Sequence, residues 1–204
     1  SALVECMLSG NWDVNDEGAI PSWDPRIHIV KPFEVPPHWT IRRGYDYGYG
    51  APYAVLWFVE ATGEEIETLD GDVWAPPKGS IIIIDELYGA DKFGKGLKEN
   101  VRTTSIKIKE IDKLWGTVRP GPADTSIYNK EQGPSIAEIM SDKGISWVPA
   151  NKKPGSRVNG LATLNAMVYE AIKERPEKPC FYVTSNCKHT PDQLAVLETV
   201  AKNI

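Results

Sequence analysis

Residues 42–60 read RRGYDYGYGAPYAVLWFVE, and the fold turns on how this run divides. The spans 39–47 (WTIRRGYDY) and 53–60 (YAVLWFVE) are dense in β-branched and aromatic side chains, which predicts two strands. The glycine-rich GYGAP between them supplies the turn. Asp46 stands at the end of the first strand, and Gly48 and Gly50 leave backbone room beside it. A carboxylate so placed is able to hold a metal ion over the edge of a sheet.

Toward the C-terminus, a polar stretch with Asp70-Gly71 and Pro76-Pro77 precedes SIIIIDELY, residues 80–88. Its unbroken β-branched run predicts a strand buried on both faces. Phe93, Leu97, Val101, Ile108, Ile111 and Trp115 recur at helical spacing and predict a helix. The span GTVRPGPAD, 116–124, reads as a short strand ending on a second acid, Asp124. PSIAEIMSDKG then reads as a helix closed by Gly144, ISWVPA as another strand, and Val158, Leu161, Leu164, Val168 and Ile172 as one face of an amphipathic helix. Three strands followed by helix–strand–helix–strand–helix predict an α/β fold, a mixed sheet with helices on both faces.

Ahead of the strands, residues 1–38 carry Pro21, Pro25, Pro32, Pro36 and Pro37 without sustained periodicity, and read as an extended arm. Trp12, Trp23 and Trp39 would pin it to the domain. The 204 residues suit one domain of ordinary size, and the net charge of −5 excludes indiscriminate nucleic-acid binding, so contact with DNA has to come from a local patch. Cys6, Cys180 and Cys187 form neither an even framework nor a C-x-x-C pair, which points to a reducing compartment. No apolar run approaches membrane-spanning length, and the start on Ser1 reads as a piece of a longer chain.

If the strands ending on Asp46 and Asp124 are neighbours, the two carboxylates converge. Two acids without a basic partner repel, and need a shared proton or a divalent cation. All-oxygen ligands favour Mg²⁺ or Mn²⁺. The plainer reading makes both residues turn or cap aspartates. Asp85 and Glu86 close the isoleucine strand and alternate to opposite faces, so only one, preferably Asp85, is an auxiliary ligand candidate; a solvated strand end is the competing reading.

The order of these pieces resembles the nuclease domain of tailed-phage terminase large subunits, which has an RNase H-like fold. The resemblance is carried by RRGYDYGYGAPYAVLWFVE, IIIIDELYG, GPADTSIY and ISWVPANKKPGSRVNGL, with LSGNWDVNDEGAI and WDPRIHIV ahead of them. It implies that Asp46 and Asp124 are the first two acidic ligands of a two-ion Mg²⁺ or Mn²⁺ site. It further implies a nuclease that hydrolyses phosphodiesters of concatemeric viral double-stranded DNA during packaging in the host cytoplasm. Residues 1–38 would be the connector after an ATPase domain of the full-length chain, and 39–204 the nuclease domain, truncated at its C-terminus. A small terminase subunit and the portal would be partners. The family's third acid lies in a motif resembling D-H-x-x-D-x-x-R-Y, which this chain, ending HTPDQLAVLETVAKNI, lacks. Asp192 is the nearest acid, but Thr190, Pro191 and Gln193 around it read as a capping box with proline at the first helical position.

For DNA, the foremost basic candidates are Lys152, Lys153 and Arg157 in NKKPGSR, a loop before a predicted helix N-terminus. Arg43 in the first strand is a further candidate, as are its neighbour Arg42 and the cluster Lys92, Lys95 and Lys98. GADKFGKG, 89–96, nearly spells a P-loop, but it follows the strand that would have to serve as Walker B, and Gly96 stands where Ser or Thr would hold Mg²⁺. The alternatives to a nuclease are therefore a non-catalytic DNA- or portal-docking module and, more remotely, a nucleotide binder.

Overall fold

The computed structural model describes residues 18–130 and 133–197. Cys6, Trp12 and the first part of the expected arm lie outside those residues. In chain order the elements are α1 (Pro25–His28), β1 (Ile29–Val30), β2 (Ile41–Asp46), β3 (Tyr53–Glu60), β4 (Ile66–Glu67), β5 (Val73–Trp74) and β6 (Ile81–Gly89). There follow α2 (Val101–Trp115), β7 (Val118–Arg119), β8 (Pro122–Ala123), a 3-10 turn (Thr125–Tyr128), α3 (Ile136–Ser141), β9 (Val148–Pro149), α4 (Ser156–Ala171), β10 (Phe181–Thr184) and α5 (His189–Val196). Among the described residues eight strands belong to a mixed sheet, and β4 and β5 pair only with each other. The α/β mixed sheet flanked by helices is the expected architecture.

Two compact units divide the chain. The first comprises the described parts of Ser1–Trp39, Glu60–Ile84 and Pro154–Ile204. In it β1, β10 and the start of β6 run parallel, with Ile29 opposite Val183 and Phe181 opposite Ile81. Ile82, Ile83 and Ile84 are buried, as is the whole of β10. Each such aliphatic side chain contributes about 1.5–3 kcal/mol on full burial. The Thr184 hydroxyl donates toward the Ile83 and Ile84 carbonyls at 3.1 and 3.2 Å, and Asn186 Nδ2 donates to the Ile84 carbonyl at 2.9 Å, so the buried strand ends are not left with bare backbone acceptors.

The described part of the expected arm is built into this unit. Asp24 caps α1 by accepting from the Arg26 N–H at 2.9 Å. His28 is fully buried: its Nε2–H donates to the Val168 carbonyl at 2.8 Å, while Nδ1 accepts from the Asp24 N–H at 3.0 Å. Trp23 stacks on the imidazole at 5.0 Å, which is the pinning its position in the sequence implied. On α4 the apolar stripe divides. Val168 is buried but Val158 is 69% exposed, so only the C-terminal half packs.

The second unit spans Thr40–Val59 and Asp85–Lys153. Here β2 pairs antiparallel with β3 from Ile41 opposite Val59 to Asp46 opposite Ala54. β7 and β8 lie parallel to β2, and β9 parallel to β8. Sequence spacing predicted α2 to begin near Phe93, yet Asn100 caps it by accepting from the Arg102 N–H at 2.9 Å. A good N-cap side chain satisfies an orphan donor and fixes the start of a helix more firmly than apolar spacing does. The strand expected over 116–124 is broken at Pro120-Gly121, and α5 starts at His189 behind Lys188, so Thr190 does not cap it.

Arg43 is the main correction among the basic candidates, because it does not face solvent. It is 3% exposed, and its Nη1 pairs with Asp112 Oδ2 on α2 at 2.9 Å. Trp57 Nε1 donates to the other oxygen of Asp112 at 2.9 Å, and the Arg43 guanidinium lies 4.8 Å from the centre of the Trp147 ring. A phosphate has no approach to it. The three side chains instead tie β2, β3 and α2 together through one carboxylate. Asp112→Ala is expected to destabilise the fold by about 3–5 kcal/mol, since it leaves a buried guanidinium without its counter-charge. Lys31→Ala, at an exposed pair with Asp70 and Asp72, is expected to cost less than about 1 kcal/mol. Urea unfolding of the two variants beside the parent chain checks both values.

Candidate active site at three strand ends

The site is set by a counting mismatch between β2 and its parallel neighbours. Ile41 lies opposite Val118 and Arg42 opposite Arg119, but Tyr45 lies opposite Ala123. The chain takes three steps from Arg42 to Tyr45 and four from Arg119 to Ala123, so one extra residue bulges at Pro120-Gly121. Gly121 passes so close to β2 that a Cβ there would meet the Arg43 carbonyl oxygen at 2.2 Å. Arg42 Nη1 donates to the Pro120 carbonyl at 3.1 Å and holds the bulge from outside.

The bulge re-phases everything after it. Because side chains alternate with period two, one added residue exchanges the two faces of the strand. With the register at Tyr45–Ala123, the next position places Asp124 alongside Asp46; without the extra residue Ala123 would stand there. The Asp124 N–H donates to the Tyr45 carbonyl at 3.0 Å, as the parallel Tyr45–Ala123 pair requires, and so fixes the backbone of Asp124 beside β2. β9 lies on the other side of β8, with the Ala150 N–H donating to the Ala123 carbonyl at 2.9 Å. Asp46 therefore ends β2, and Asp124 and Lys152 follow the carboxyl ends of the adjacent parallel strands β8 and β9, the region where open α/β sheets bind ligands.

Asp124 is tightly held. One oxygen accepts from the Ser126 N–H at 2.7 Å, capping the 3-10 turn, and the other lies 2.8 Å from Lys152 Nζ. The Lys152 ammonium first, and then the Ser126 donors, keep the carboxyl well below the usual carboxylate range. Asp124 is thus the cap aspartate of the plainer sequence reading, and it stands just past the end of β8. Beneath it Tyr45 is buried against Trp147, with ring centres 5.1 Å apart, and burial pushes its phenol up. Asp46, the last residue of β2, is exposed.

The other candidates are spread out. Asp85 accepts from Trp115 Nε1 at 2.9 Å and from the Glu86 N–H at 2.8 Å, which commits its carboxylate to bracing β6 against α2. Lys153 and Arg157 are exposed, as is Asp192. The pairing of Lys152 with Asp124 had no signal in sequence spacing, since 28 positions separate them and only the β8–β9 register brings them together.

Among the described residues no group of three or more His, Cys, Asp or Glu side chains gathers as a metal cluster. The Asp46–Asp124 pair nevertheless suits a hard divalent cation. Its donors are all carboxylate oxygens, and Asp124 already holds one cationic group at 2.8 Å. Among the described residues no helix is long and apolar enough to cross a membrane. Cys180 and Cys187 are both free and buried.

No protein-family model matches the sequence, and no curated protein does. Solved structures do match. The large terminase of a thermophilic bacteriophage, in complex with ADP, is similar with a TM-score of 0.61 at 14% identity, over 92% of this chain and 38% of that one. The P22 large terminase nuclease domain gives 0.55 at 18% identity, over 85% and 76%. The large terminase nuclease from the thermophilic phage G20c with bound cobalt gives 0.51 at 13% identity, over 88% and 79%. The mixed α/β fold of this chain is thus one shared with solved phage large-terminase structures. The chain spans about 38% of the length of the first of these large terminases.

Gly121→Ala is expected to cost about 1–3 kcal/mol, the usual effect of forced overpacking, and to loosen β8 from β2. Faster amide exchange at Asp124, with unchanged exchange in β10, would be its signature. Lys152→Met is expected to bring the Asp124 pKa back up toward its ordinary 3.8, read by carboxyl-carbon NMR. A depressed carboxylate stabilises the fold at pH above its unfolded value, and that contribution disappears as the pH falls through the folded one. The acid limb of the parent chain's stability curve should therefore be steeper than that of Lys152→Met.

Proposed function

We propose that this chain is the nuclease part of a phage large terminase and that it cuts double-stranded viral DNA during genome packaging. The observation that carries the reading is the bulged register aligning Asp124 with Asp46 at neighbouring strand ends. The shared fold supports it, and so does the cobalt bound in the G20c nuclease.

Asp46 and Asp124 would hold the cation, with Mg²⁺ or Mn²⁺ the best match to their oxygens and two ions the arrangement expected from the resemblance. When bound, such ions supply an activated water and stabilise charge on the leaving oxygen. The chain's own groups do the rest. Ser126 N–H fixes the Asp124 carboxylate in one orientation, so little reorganisation is needed when charge arrives. The Lys152 ammonium, 2.8 Å from Asp124, offsets negative charge where the phosphate would enter. Lys153 is exposed and available to a flanking phosphate, and Arg157, exposed in the first unit, is a DNA-contact candidate of its own. Asp85 stays with Trp115 and takes the part of a support.

In the full-length protein we place an ATPase domain ahead of this part, with the small terminase subunit and the portal as partners and the host cytoplasm as the setting. A second reading, a DNA- or portal-docking module without cleavage, draws on the Asp124–Lys152 pair, which already gives one of the two carboxylates a resident cation. Plasmid relaxation in Mn²⁺ separates the two. Parent chain that nicks supercoiled DNA, with at least a hundredfold loss in Asp46→Ala and in Asp124→Ala, is the expected outcome. Cutting by the alanine variants would remove these residues from the mechanism, and an inert parent chain at high protein and metal would favour docking.

A further inference from the structure

The segment between β6 and α2, residues 89–100, carries the near-P-loop GADKFGKG, and the nuclease reading leaves it unused. It folds as a small hairpin. Ala90 bridges Gly96 in antiparallel fashion, and the Asp91 N–H donates to the Lys95 carbonyl at 2.7 Å. At the tip, Asp91 Oδ1 accepts from the Phe93 and Lys95 N–H groups at 2.8 and 2.9 Å, and Gly94 takes a positive φ of 75°. The one acid of the tip is therefore consumed in shaping it, and backbone N–H groups that would line a phosphate nest are already bonded.

The side chains projecting from this frame are of one kind. Phe93 is 73% exposed, and Lys92 Nζ lies 5.0 Å from the centre of its ring. Lys92, Lys95 and Lys98 follow within seven residues on a chain whose net charge is −5. An aromatic ring that exposed has no part in the core, and here the Lys92 ammonium lies over it.

The hairpin is also fixed to the proposed site. The Gly96 N–H donates to the Gly50 carbonyl at 3.1 Å and the Lys98 N–H to the Tyr49 carbonyl at 3.2 Å, so it is zipped along the turn that begins just after Asp46. A Cβ on Gly96 would meet the Ala51 carbonyl oxygen at 2.2 Å, and a glycine is needed for this approach. Tyr49, on the same turn, is 54% exposed and adds a second aromatic to the surface.

We infer that this hairpin is a DNA-contacting finger: Phe93 and Tyr49 lie against sugars or wedge at a base step of the duplex, and Lys92 and Lys95 sit on phosphates, at a fixed offset from Asp46. Exposed aromatics interleaved with cations are the chemistry that grips bases and backbone together. The inference rests on the nuclease reading above for its substrate, and on the hairpin's own geometry for its location.

The test is fluorescence anisotropy of a labelled duplex of about 30 base pairs with the 204-residue chain, in Ca²⁺ to hold cleavage down, across a salt series. Phe93→Ala is expected to weaken binding about tenfold, the loss of one aromatic contact to the duplex. Lys92→Ala with Lys95→Ala is expected to lower the slope of log affinity against log salt by about 2. If Phe93→Ala and the double-lysine variant bind with parental affinity and slope, the finger is overturned while the nuclease reading stands. If the parent chain shows no salt-dependent binding, both fall together.

Discussion

A β-strand has two faces, and one additional residue exchanges them. The structure depends on that parity at Pro120-Gly121, where the chain beside β2 takes one step more than β2 does. Before the bulge the parallel pairing is ordinary. After it, the acid rather than the preceding alanine stands in line with Asp46. The constraint is steric as well as arithmetic, because Gly121 lies against the Arg43 carbonyl at a distance no Cβ tolerates. Glycine, proline and the Arg42 guanidinium are thus the means by which two carboxylates, 78 positions apart in sequence, share one edge of the sheet.

The same strand carries a second, opposite solution. Arg43 turns inward and is matched there by Asp112, with Trp57 satisfying the remaining carboxylate oxygen and Trp147 covering the guanidinium. Buried ion pairs gain little over an apolar core but penalise any arrangement that separates the partners. Holding β2, β3 and α2 to one geometry is what a site at the end of β2 requires. The strand therefore places one charge at its buried centre and another, Asp46, at its exposed end.

Much of this was legible from the sequence. β2, β3 and β6 emerge where expected, because alternation and an isoleucine run report directly on burial. Gly144 has a positive φ of 75° past α3, as its place after a helical run implies. The same alternation that located β2 also held the information about Arg43, which shares a face with the buried Ile41 and Tyr45. Strand β10 was available too: FYVT is a short β-branched and aromatic run bounded by Pro179 and Ser185-Asn186. Other features were out of reach. Pro-Gly marks turns and bulges alike, and only the pairing partner tells them apart. Phe93 and Leu97 kept the period of a helix that Asn100 begins later, and Lys152 met Asp124 through a register that no local window contains.

The hairpin at 89–98 is joined to the turn after Asp46 through main-chain groups, with the Gly96 and Lys98 amides reaching the Gly50 and Tyr49 carbonyls. Gly96 is held to glycine by that seam, and Lys98 takes a positive φ of 53° in it. The attachment is thus written in atoms every residue shares, and the tip in atoms that differ from residue to residue. Such a division makes the tip evolvable: selection can exchange its aromatic and basic groups one at a time without disturbing either the seam or the carboxylate that the turn supports.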